Sequence, residues 1–207
     1  MKKVIKNSGI FIAYTIYFIL IRITPIFALE KGYAEFGRNL VISQEKYRSG
    51  GILISRPSPL DEKIRNLIIF NNIRVIEDYI QWLQKNIQYK KDKGPDTWSA
   101  PEETLHKKYG DCEDLAFLNA AFLRVGGYQP KVWGIVRQPG RNHAICAFKE
   151  NGYYSWIDNA KLKRTQAQSI VQFAKHILRE YDCISICELH SQTKGWDILF
   201  KKSEILK

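Results

Sequence analysis

The chain has 207 residues, of which 45% are hydrophobic and 13% aromatic, enough to fill the core of one domain. This composition excludes an intrinsically disordered chain. The formal net charge is +11, but the basic residues are scattered and do not alternate with aromatics along a stripe, so we expect no nucleic-acid partner.

The N-terminus has the pattern of a secretory signal peptide. A basic region at positions 2–6 is followed by an uncharged apolar run at 10–21 and by Ala28, a small residue suited to cleavage. The apolar run is short for a membrane span, which needs about 20 apolar residues. We therefore predict a signal peptide at 1–28 and a single domain at 29–207. An uncleaved leader is the alternative and would be the chain's membrane attachment.

The next segment indicates helices. Residues 61–87 carry apolar side chains at helical spacing, interrupted at Asn71 and Asn72. The spacing predicts one long helix, or two helices joined at the asparagines, packed on the core. Residues 29–60 show no such period, and we expect irregular structure there.

A loop and a short helix come next. Residues 89–96 are polar and contain a Gly-Pro pair, which predicts a loop. Ser99, followed three residues later by Glu102, has the pattern of a capping box. It predicts a helix at about 100–108 that stops at Gly110.

The sequence Gly-Asp-Cys-Glu-Asp at 110–114 opens the next predicted helix. Asp111 is a favoured N-cap, with Asp114 three residues on, and the apolar period then continues to Gly126. Cys112 therefore lies in the first turn, where free backbone N–H groups and the helix dipole favour a thiolate. This position makes Cys112 a candidate nucleophile, although a buried packing role is the common alternative for a cysteine.

A hairpin is the clearest β signal. Asn151-Gly152 separates β-prone runs at 142–150 and 153–159, which is the strongest short-range pattern for a two-residue hairpin turn. That turn places His143 and Asp158 on one face as diagonal neighbours, about 7 to 8 Å apart between backbones. A three-residue loop would place them on opposite faces. We predict the two-residue turn.

The remaining elements complete an α+β pattern. A strand is predicted at 131–136, before the hairpin. Thr165 and Gln168 form a second predicted capping box, leading into an amphipathic helix. Two strands follow near 183–189 and 196–201. Helices first and antiparallel strands later favour an α+β fold, with the Cys112 helix packed on an antiparallel sheet.

The candidate residues fit one chemistry. A thiol nucleophile needs a base to take its proton, and the base needs an acceptor that fixes its tautomer. His143 and Asp158 can fill these roles for Cys112. The other histidines are expected to be surface or packing residues: His106, His176 and His190.

The cysteines do not predict a disulfide framework. Cys183 and Cys187 lie in one predicted strand, about 13 Å apart, which is too far for a bridge. If Cys112 stays a thiol, three cysteines remain. One bridge from Cys146 to Cys183 or Cys187 stays open as an alternative.

Several of these motifs occur together in a known family. Residues 73–159 carry DTWSAPEETL at 96–105, GDCED at 110–114, His-Ala at 143–144 and WIDN at 156–159. In this order the motifs resemble the bacterial transglutaminase-like cysteine proteinases, and less closely the wider transglutaminase-like superfamily.

The resemblance implies a papain-like catalytic core. In that core Cys112 is the nucleophile, His143 is the general base and acid, and Asp158 orients the histidine. The resemblance also suggests Trp98 as a wall of the substrate cleft, with core packing as the alternative.

The same resemblance implies a calcium site. Asp111, Glu113 and Asp114 crowd negative charge around Cys112, which would raise the pKa of the thiol. Periplasmic members of the family depend on calcium bound by acids that flank the nucleophile, and Asp111 and Glu113 stand in those positions. Calcium takes oxygen ligands and would neutralise the cluster. We predict both residues as calcium ligands.

The function expected from the family is proteolysis outside the cytoplasm. The resemblance implies a periplasmic or otherwise exported cysteine endopeptidase that cleaves a protein substrate. In this family the substrate is a surface adhesin, and an inner-membrane receptor regulates the protease. A transglutaminase or protein-glutamine deamidase would use the same triad. A catalytically silent module that binds protein partners is the third alternative.

Overall fold

The computed structural model describes residues 57–94, 96–138 and 142–206. The predicted signal peptide at 1–28 and the segment 29–56 lie outside the described residues. Within the described residues, no helix is long and apolar enough to cross a membrane.

The described part of the chain contains six helices. Their bounds are α1 Pro59–Phe70, α2 Ile76–Asn86, α3 Pro101–Lys107, α4 Cys112–Val125, α5 Ile170–Glu180 and α6 Lys202–Ile205. The first two are separate because Asn71 caps the end of α1 and Asn72 adopts a left-handed φ of 51°. The segment therefore forms two helices and not one long helix.

Eight strands form two sheets in the described residues. Their bounds are β1 Gln88–Tyr89, β2 Tyr109–Gly110, β3 Lys131–Val136, β4 His143–Glu150, β5 Tyr153–Asp158, β6 Lys161–Arg164, β7 Ser185–His190 and β8 Gly195–Lys201. The short β1 and β2 pair in parallel. The other six strands form one antiparallel sheet in the order β6-β5-β4-β3-β7-β8. The α+β prediction, with helices first and an antiparallel sheet after them, is confirmed.

The sheet has a hydrophobic core on each face. Ala144, Cys146 and Phe148 of β4 belong to the core shared with α1, α2 and α4. The alternate residues Ile145 and Ala147 belong to the core shared with α5. Twelve of the 14 residues of α4 are buried, so this helix is enclosed on nearly every side, and its N-terminus is held firmly against the sheet.

Neither predicted capping box forms as expected. Ala100, not Ser99, is the N-cap of α3, because the Ser99 N–H donates to Oδ1 of Asp114 at 2.6 Å. The Ser99 hydroxyl accepts from Lys107 Nζ at 3.3 Å. The helix itself runs from Pro101 to Lys107, within one residue of the prediction at each end, and its C-cap is a left-handed Lys108 with φ 61°.

The second capping box lies four residues later than predicted. Ser169 caps α5 and pairs reciprocally with Gln172. Thr165 instead donates to the Tyr154 carbonyl at 2.7 Å and accepts from the Ala167 N–H at 3.0 Å. A turn motif has therefore taken the place of the predicted cap.

The four cysteines are all buried and free. The alternative of a bridge from Cys146 to another cysteine is therefore wrong in this structure.

Candidate active site

Cys112 is the first residue of α4, and local contacts fix it there. Oδ1 of Asp111 accepts from the Asp114 N–H at 3.4 Å, so the predicted N-cap is confirmed. The backbone at Gly110 packs closely against Asp114 and Thr104. A Cβ at this position would lie 2.6 Å from Cβ of Asp114 and 3.2 Å from a Thr104 methyl. Contacts below about 3 Å between carbons are repulsive, so the motif requires glycine at position 110.

The hairpin has the predicted two-residue turn. Asn151 and Gly152 have φ values of 50° and 84°, the left-handed conformation of a type I′ turn. Glu150 pairs with Tyr153, and the register continues to Cys146 opposite Ile157. This register brings the side chains of the two predicted partners, one near the start of β4 and one at the end of β5, to the same face.

A chain of buried hydrogen bonds holds these partners. Nε2 of His143 lies 2.7 Å from Oδ1 of Asp158. The Tyr181 hydroxyl donates to the other carboxylate oxygen of Asp158 at 2.6 Å. Nε1 of Trp156 donates to the Tyr181 hydroxyl at 2.9 Å. Each group is therefore oriented by the next, from the indole to the imidazole.

Asp158 is kept ionised by its neighbours. Burial raises the pKa of this carboxyl, but the hydrogen bonds from His143 and Tyr181 and the nearby charges outweigh burial and lower the pKa to about 2. Lys163 Nζ adds a positive charge 3.5 Å from Oδ2. A carboxylate at this position can bind Nε2 of His143 and fix the orientation of the ring.

The Cys112 thiol has an acidic neighbour within hydrogen-bond distance. Its Sγ donates to Oε2 of Glu113 at 2.9 Å. Burial, followed by this hydrogen bond and the charge of Glu113, raises the pKa of Cys112, while a backbone hydrogen bond from Ala144 lowers it. The Ala144 contact places the sulfur beside the strand residue that follows His143. The sulfur thus lies near the strand that carries the proposed base, and burial together with Glu113 favours the thiol over the thiolate.

Three aspartates gather beside the start of α4. Asp92, Asp96 and Asp111 each offer a carboxylate oxygen, and these oxygens lie within 4.8 Å of one another. The pairing of Gln88 with Tyr109 and of Tyr89 with Gly110 brings the loop that carries Asp92 and Asp96 to the helix start. Burial, and then the charges of Glu113 and Asp114, raise the pKa of Asp111 to about 7. Clustered carboxylates suit a hard divalent cation, and calcium takes such oxygen ligands.

Two predicted site residues have other contacts here. Glu113 is outside the aspartate cluster and binds the Cys112 sulfur. Trp98 is partly buried and packs on Phe117 with ring centroids 5.6 Å apart. The roles assigned to Glu113 in metal binding and to Trp98 in the substrate cleft stay predictions.

The other three histidines are not part of this site. His106 lies on α3. His176 packs its ring on Trp156, 5.4 Å away. His190 contacts Asp197 at 3.0 Å on the β7–β8 hairpin. These are the surface and packing positions predicted for them.

Sequence reasoning missed three residues of the site. Tyr181 lies at the end of an amphipathic helix, where an aromatic residue resembles ordinary core packing. Asp92 and Asp96 lie in a segment interpreted only as a polar loop. A signal was available for the aspartates, since both stand in a Gly-Pro loop next to a helix start that is itself acidic.

The fold and the site together define the class of this protein. A cysteine begins a buried helix that packs on an antiparallel sheet, and a histidine and an aspartate pair on adjacent strands of that sheet, which is the arrangement of a papain-like α+β domain. The chain belongs to the family described as the transglutaminase-like domain, whose model matches residues 64–185. The predicted family is confirmed.

Solved structures show similarity at low identity. LapG from Legionella pneumophila is 13% identical, with 83% of this chain and 92% of that chain covered and a TM-score of 0.42. Calcium-bound LapG from the same organism is 18% identical over 50% of this chain and 65% of that chain, with a TM-score of 0.38. A candidate cysteine protease from Cytophaga hutchinsonii is 17% identical over 53% of this chain, with a TM-score of 0.41, and this chain spans 43% of its length. No curated protein matches the sequence.

Proposed function

We propose that this protein is an exported, calcium-dependent cysteine endopeptidase with a Cys112–His143–Asp158 triad. The observation that carries the proposal is the 2.7 Å contact between Nε2 of His143 and Oδ1 of Asp158, next to a cysteine at a helix N-terminus. Because Nε2 is bound to Asp158, the other ring nitrogen, Nδ1, remains to exchange a proton with the thiol. The membership of the transglutaminase-like family supports the same assignment.

The proposed reaction uses an acyl-enzyme. Sγ of Cys112 bonds to the carbonyl carbon of the scissile peptide and gives its proton to His143. His143 then protonates the leaving amine as the C–N bond breaks, which leaves a thioester on Cys112. Water gives a proton to His143 and adds to the thioester, and the acid product leaves as the thiol recovers its proton. The N-terminus of α4 favours the negative charge that develops on the carbonyl oxygen.

The residues present fit a calcium ion near this centre. Asp92, Asp96 and Asp111 would hold it, with Glu113 as the further predicted ligand. A bound divalent cation supplies positive charge that offsets the acidic groups around the thiol. LapG has been determined in calcium-bound and EGTA-treated forms, which supports calcium as the cation.

The proposal includes location and partners. The signal-peptide pattern at 1–28 supports export to the periplasm or beyond. We propose a protein substrate, with a bacterial surface adhesin as the expected kind, and an inner-membrane receptor as a regulator. Mass spectrometry of cell-surface proteins from matched strains with the natural protein and with Cys112→Ser tests the substrate, because a new N-terminus present in one strain alone identifies it.

The triad is tested by alkylation of Cys112. With calcium present at neutral pH, iodoacetamide should label Cys112, and His143→Ala should slow labelling at least about tenfold because the thiol loses its base. His190→Ala is the matched control, since this histidine lies on another hairpin. Slow labelling that is indifferent to His143 would contradict the triad and favour the silent binding module.

Amide transfer is the second candidate, because a transglutaminase-like domain could use the same triad for it. A transglutaminase would attack a glutamine side chain with Cys112 and pass the acyl group to an amine, whereas a deamidase would pass it to water. Incorporation of a labelled primary amine into a glutamine-containing protein, without backbone cleavage, would support transfer. Backbone cleavage that depends on Cys112 would support the peptidase.

A further inference from the structure

A pocket with a positive lining opens beside the His143–Asp158 pair. Its volume is about 560 Å³, and its lining includes both residues of the pair together with Arg137, Asn159, Lys161 and Tyr181. It therefore adjoins the imidazole that we propose as the base for Cys112.

Arg137 is the central basic residue of this pocket. Its guanidinium carbon lies 5.3 Å from the centroid of the Tyr181 ring. The imidazole of His143 lies 5.8 Å from the same centroid. The guanidinium and the imidazole are therefore no more than about 11 Å apart, which is about three residues of extended chain.

Two basic residues line the pocket, and the acid that acts on Arg137 electrostatically, Asp182, is exposed and bonds to Lys202. In the described ranges, neither Arg137 nor Lys161 has a carboxylate within ion-pair distance. Asp158 is an acid in the pocket lining, but His143, Tyr181 and Lys163 already contact its oxygens. Calcium at the aspartate cluster would leave the positive side of the active site unchanged.

Among the residues that the structure describes, two buried polar atoms of the lining residues have no hydrogen-bond partner. These atoms are Nε of Arg137, a donor, and Oδ1 of Asn159, an acceptor. A buried polar atom without a partner costs free energy, which is recovered when the side chain turns into the pocket and meets a ligand. A guanidinium matches a carboxylate in shape and charge, and a carboxamide oxygen can accept from a peptide N–H.

We propose that this pocket binds an aspartate or glutamate of the protein substrate close to the scissile bond. Arg137 binds the carboxylate, Lys161 adds to the positive field, and Asn159 accepts from the substrate backbone. The inference rests on the proposed peptidase function and adds its substrate class: proteins with an acidic residue within about three positions of the cut.

The test is a cleavage profile on a mixed peptide library. The exported protein, with calcium, is incubated with the library, and cut sites are identified by mass spectrometry. We expect an acidic residue to be enriched at one position within about three residues of the cut. A matched peptide pair that carries Asp or Asn at that position should differ about tenfold in kcat/KM.

Variants assign the preference to Arg137. Arg137→Gln should lower the ratio of kcat/KM for the Asp peptide to kcat/KM for the Asn peptide about tenfold, while Arg137→Lys should keep part of the preference. Arg179→Gln is the matched control, because Arg179 is exposed near the end of α5. The Arg179→Gln variant should prefer the Asp peptide to the Asn peptide as strongly as the natural protein does.

The outcomes separate the two proposals. If the natural protein cuts the Asp and Asn peptides equally, the acidic pocket is wrong and the peptidase function stands. If Arg137→Gln keeps the preference, the pocket is also wrong. If no peptide is cut with calcium present, the proposed function fails and the acidic pocket fails with it. If Arg137→Gln does not fold, the peptide pair on the natural protein still decides.

Discussion

The pKa of Asp158 is lowered by its contacts in the candidate site. Its pKa is about 2, although burial raises it, because hydrogen bonds from His143 and Tyr181 favour the ionised form. An unfolded chain has an Asp pKa of about 3.9. The depressed pKa therefore contributes stability above about pH 4, and that contribution is lost as the pH falls through about 2.

We expect a pH-dependent loss of stability that Asp158→Asn removes. The natural protein should lose about 2 kcal/mol of unfolding free energy from this group between about pH 4 and pH 2. Asp158→Asn should be less stable at pH 7 and should lose less on acidification. Urea unfolding at pH 7, 4 and 3 measures this slope. An equal slope in both proteins would show that Asp158 is not held as a carboxylate.

Tyr181 is a positioning residue for Asp158. Tyr181→Phe removes the 2.6 Å hydrogen bond to Oδ2 and leaves Nε1 of Trp156 without its acceptor. We expect kcat to fall about tenfold with KM nearly unchanged, because the histidine is oriented less well in the transition state. The pKa of Asp158 should rise, since this hydrogen bond lowers it.

The matched control for Tyr181 is Tyr153→Phe on the exposed end of the hairpin. It should leave kcat and the pH slope of stability unchanged. A fall in thermal stability without a change in kcat or in the pH slope would make Tyr181 a packing residue.

At the scale of single residues, the sequence predicts those positions that local rules connect. His143 and Asp158 are linked by a two-residue turn and a period of two, so their contact follows from the hairpin alone. Tyr181 is 23 residues beyond Asp158, and its hydroxyl reaches the carboxylate only because α5 packs on the sheet. No local pattern encodes that packing.

Among the elements, α4 depends on its first turn and on the glycine before it. A Cβ at Gly110 would come within 2.6 Å of the Asp114 Cβ, and the chain on both sides is held by β2 and the helix. Gly110→Ala should therefore lower the unfolding free energy by about 1 to 3 kcal/mol. The measurement is chemical denaturation, with alkylation of Cys112 as a second readout.

Gly195→Ala is the matched control for Gly110. A Cβ at Gly195 would meet the hydroxyl of Thr193 at 3.2 Å, and this side chain can move. The change should cost less than about 1 kcal/mol. Equal losses in the two variants would remove the steric explanation for glycine at position 110.

Asn119 joins three elements inside the core. Its Oδ1 accepts from the Tyr79 hydroxyl on α2 at 2.8 Å, and its Nδ2 donates to the Asn159 carbonyl at 2.9 Å. Asn119→Ala should lower the unfolding free energy by about 2 to 4 kcal/mol, because two buried groups lose their partners. Tyr79→Phe removes one bond alone and should cost less. If the two substitutions cost the same, the bond to Asn159 contributes nothing.

Helix starts show where sequence rules fail at the scale of elements. Asp111 caps α4 as predicted, through a contact within its own first turn. Ser99 does not cap α3, because Asp114 of the next helix takes its N–H. The type of each element follows from its period, while the end of an element depends on tertiary partners that the local sequence does not specify.

At the scale of the whole molecule, the candidate site lies between two regions of opposite charge. Acids surround the start of α4, and Arg137, Lys161 and Lys163 lie near the sheet side. The sequence predicts the acids adjacent to Cys112, since they share its motif. It does not predict Asp92 and Asp96 as their neighbours, because the parallel pairing of β1 with β2 joins segments about 20 residues apart.

If Asp92, Asp96 and Asp111 bind calcium, the ion should raise the stability of the whole domain. Calcium at about 100 times its dissociation constant adds about 2.7 kcal/mol to the free energy of unfolding, which for a domain of this size raises Tm by about 5 to 10 °C relative to EGTA. Asp92→Asn and Asp96→Asn should each reduce this rise, whereas Asp197→Asn on the exposed β7–β8 hairpin should keep it.

Asp111→Asn gives the sharpest form of this prediction, because its effect should change sign. Asparagine caps a helix about as well as aspartate, so the variant keeps α4 and removes one charge from the cluster. In EGTA, Tm should rise, since the Asp111 carboxylate is buried among acids and its pKa is raised to about 7. In calcium, Tm should fall below that of the natural protein, because a ligand is lost. Differential scanning calorimetry in both buffers measures this, and an effect of the same sign in both would contradict a cation at these aspartates.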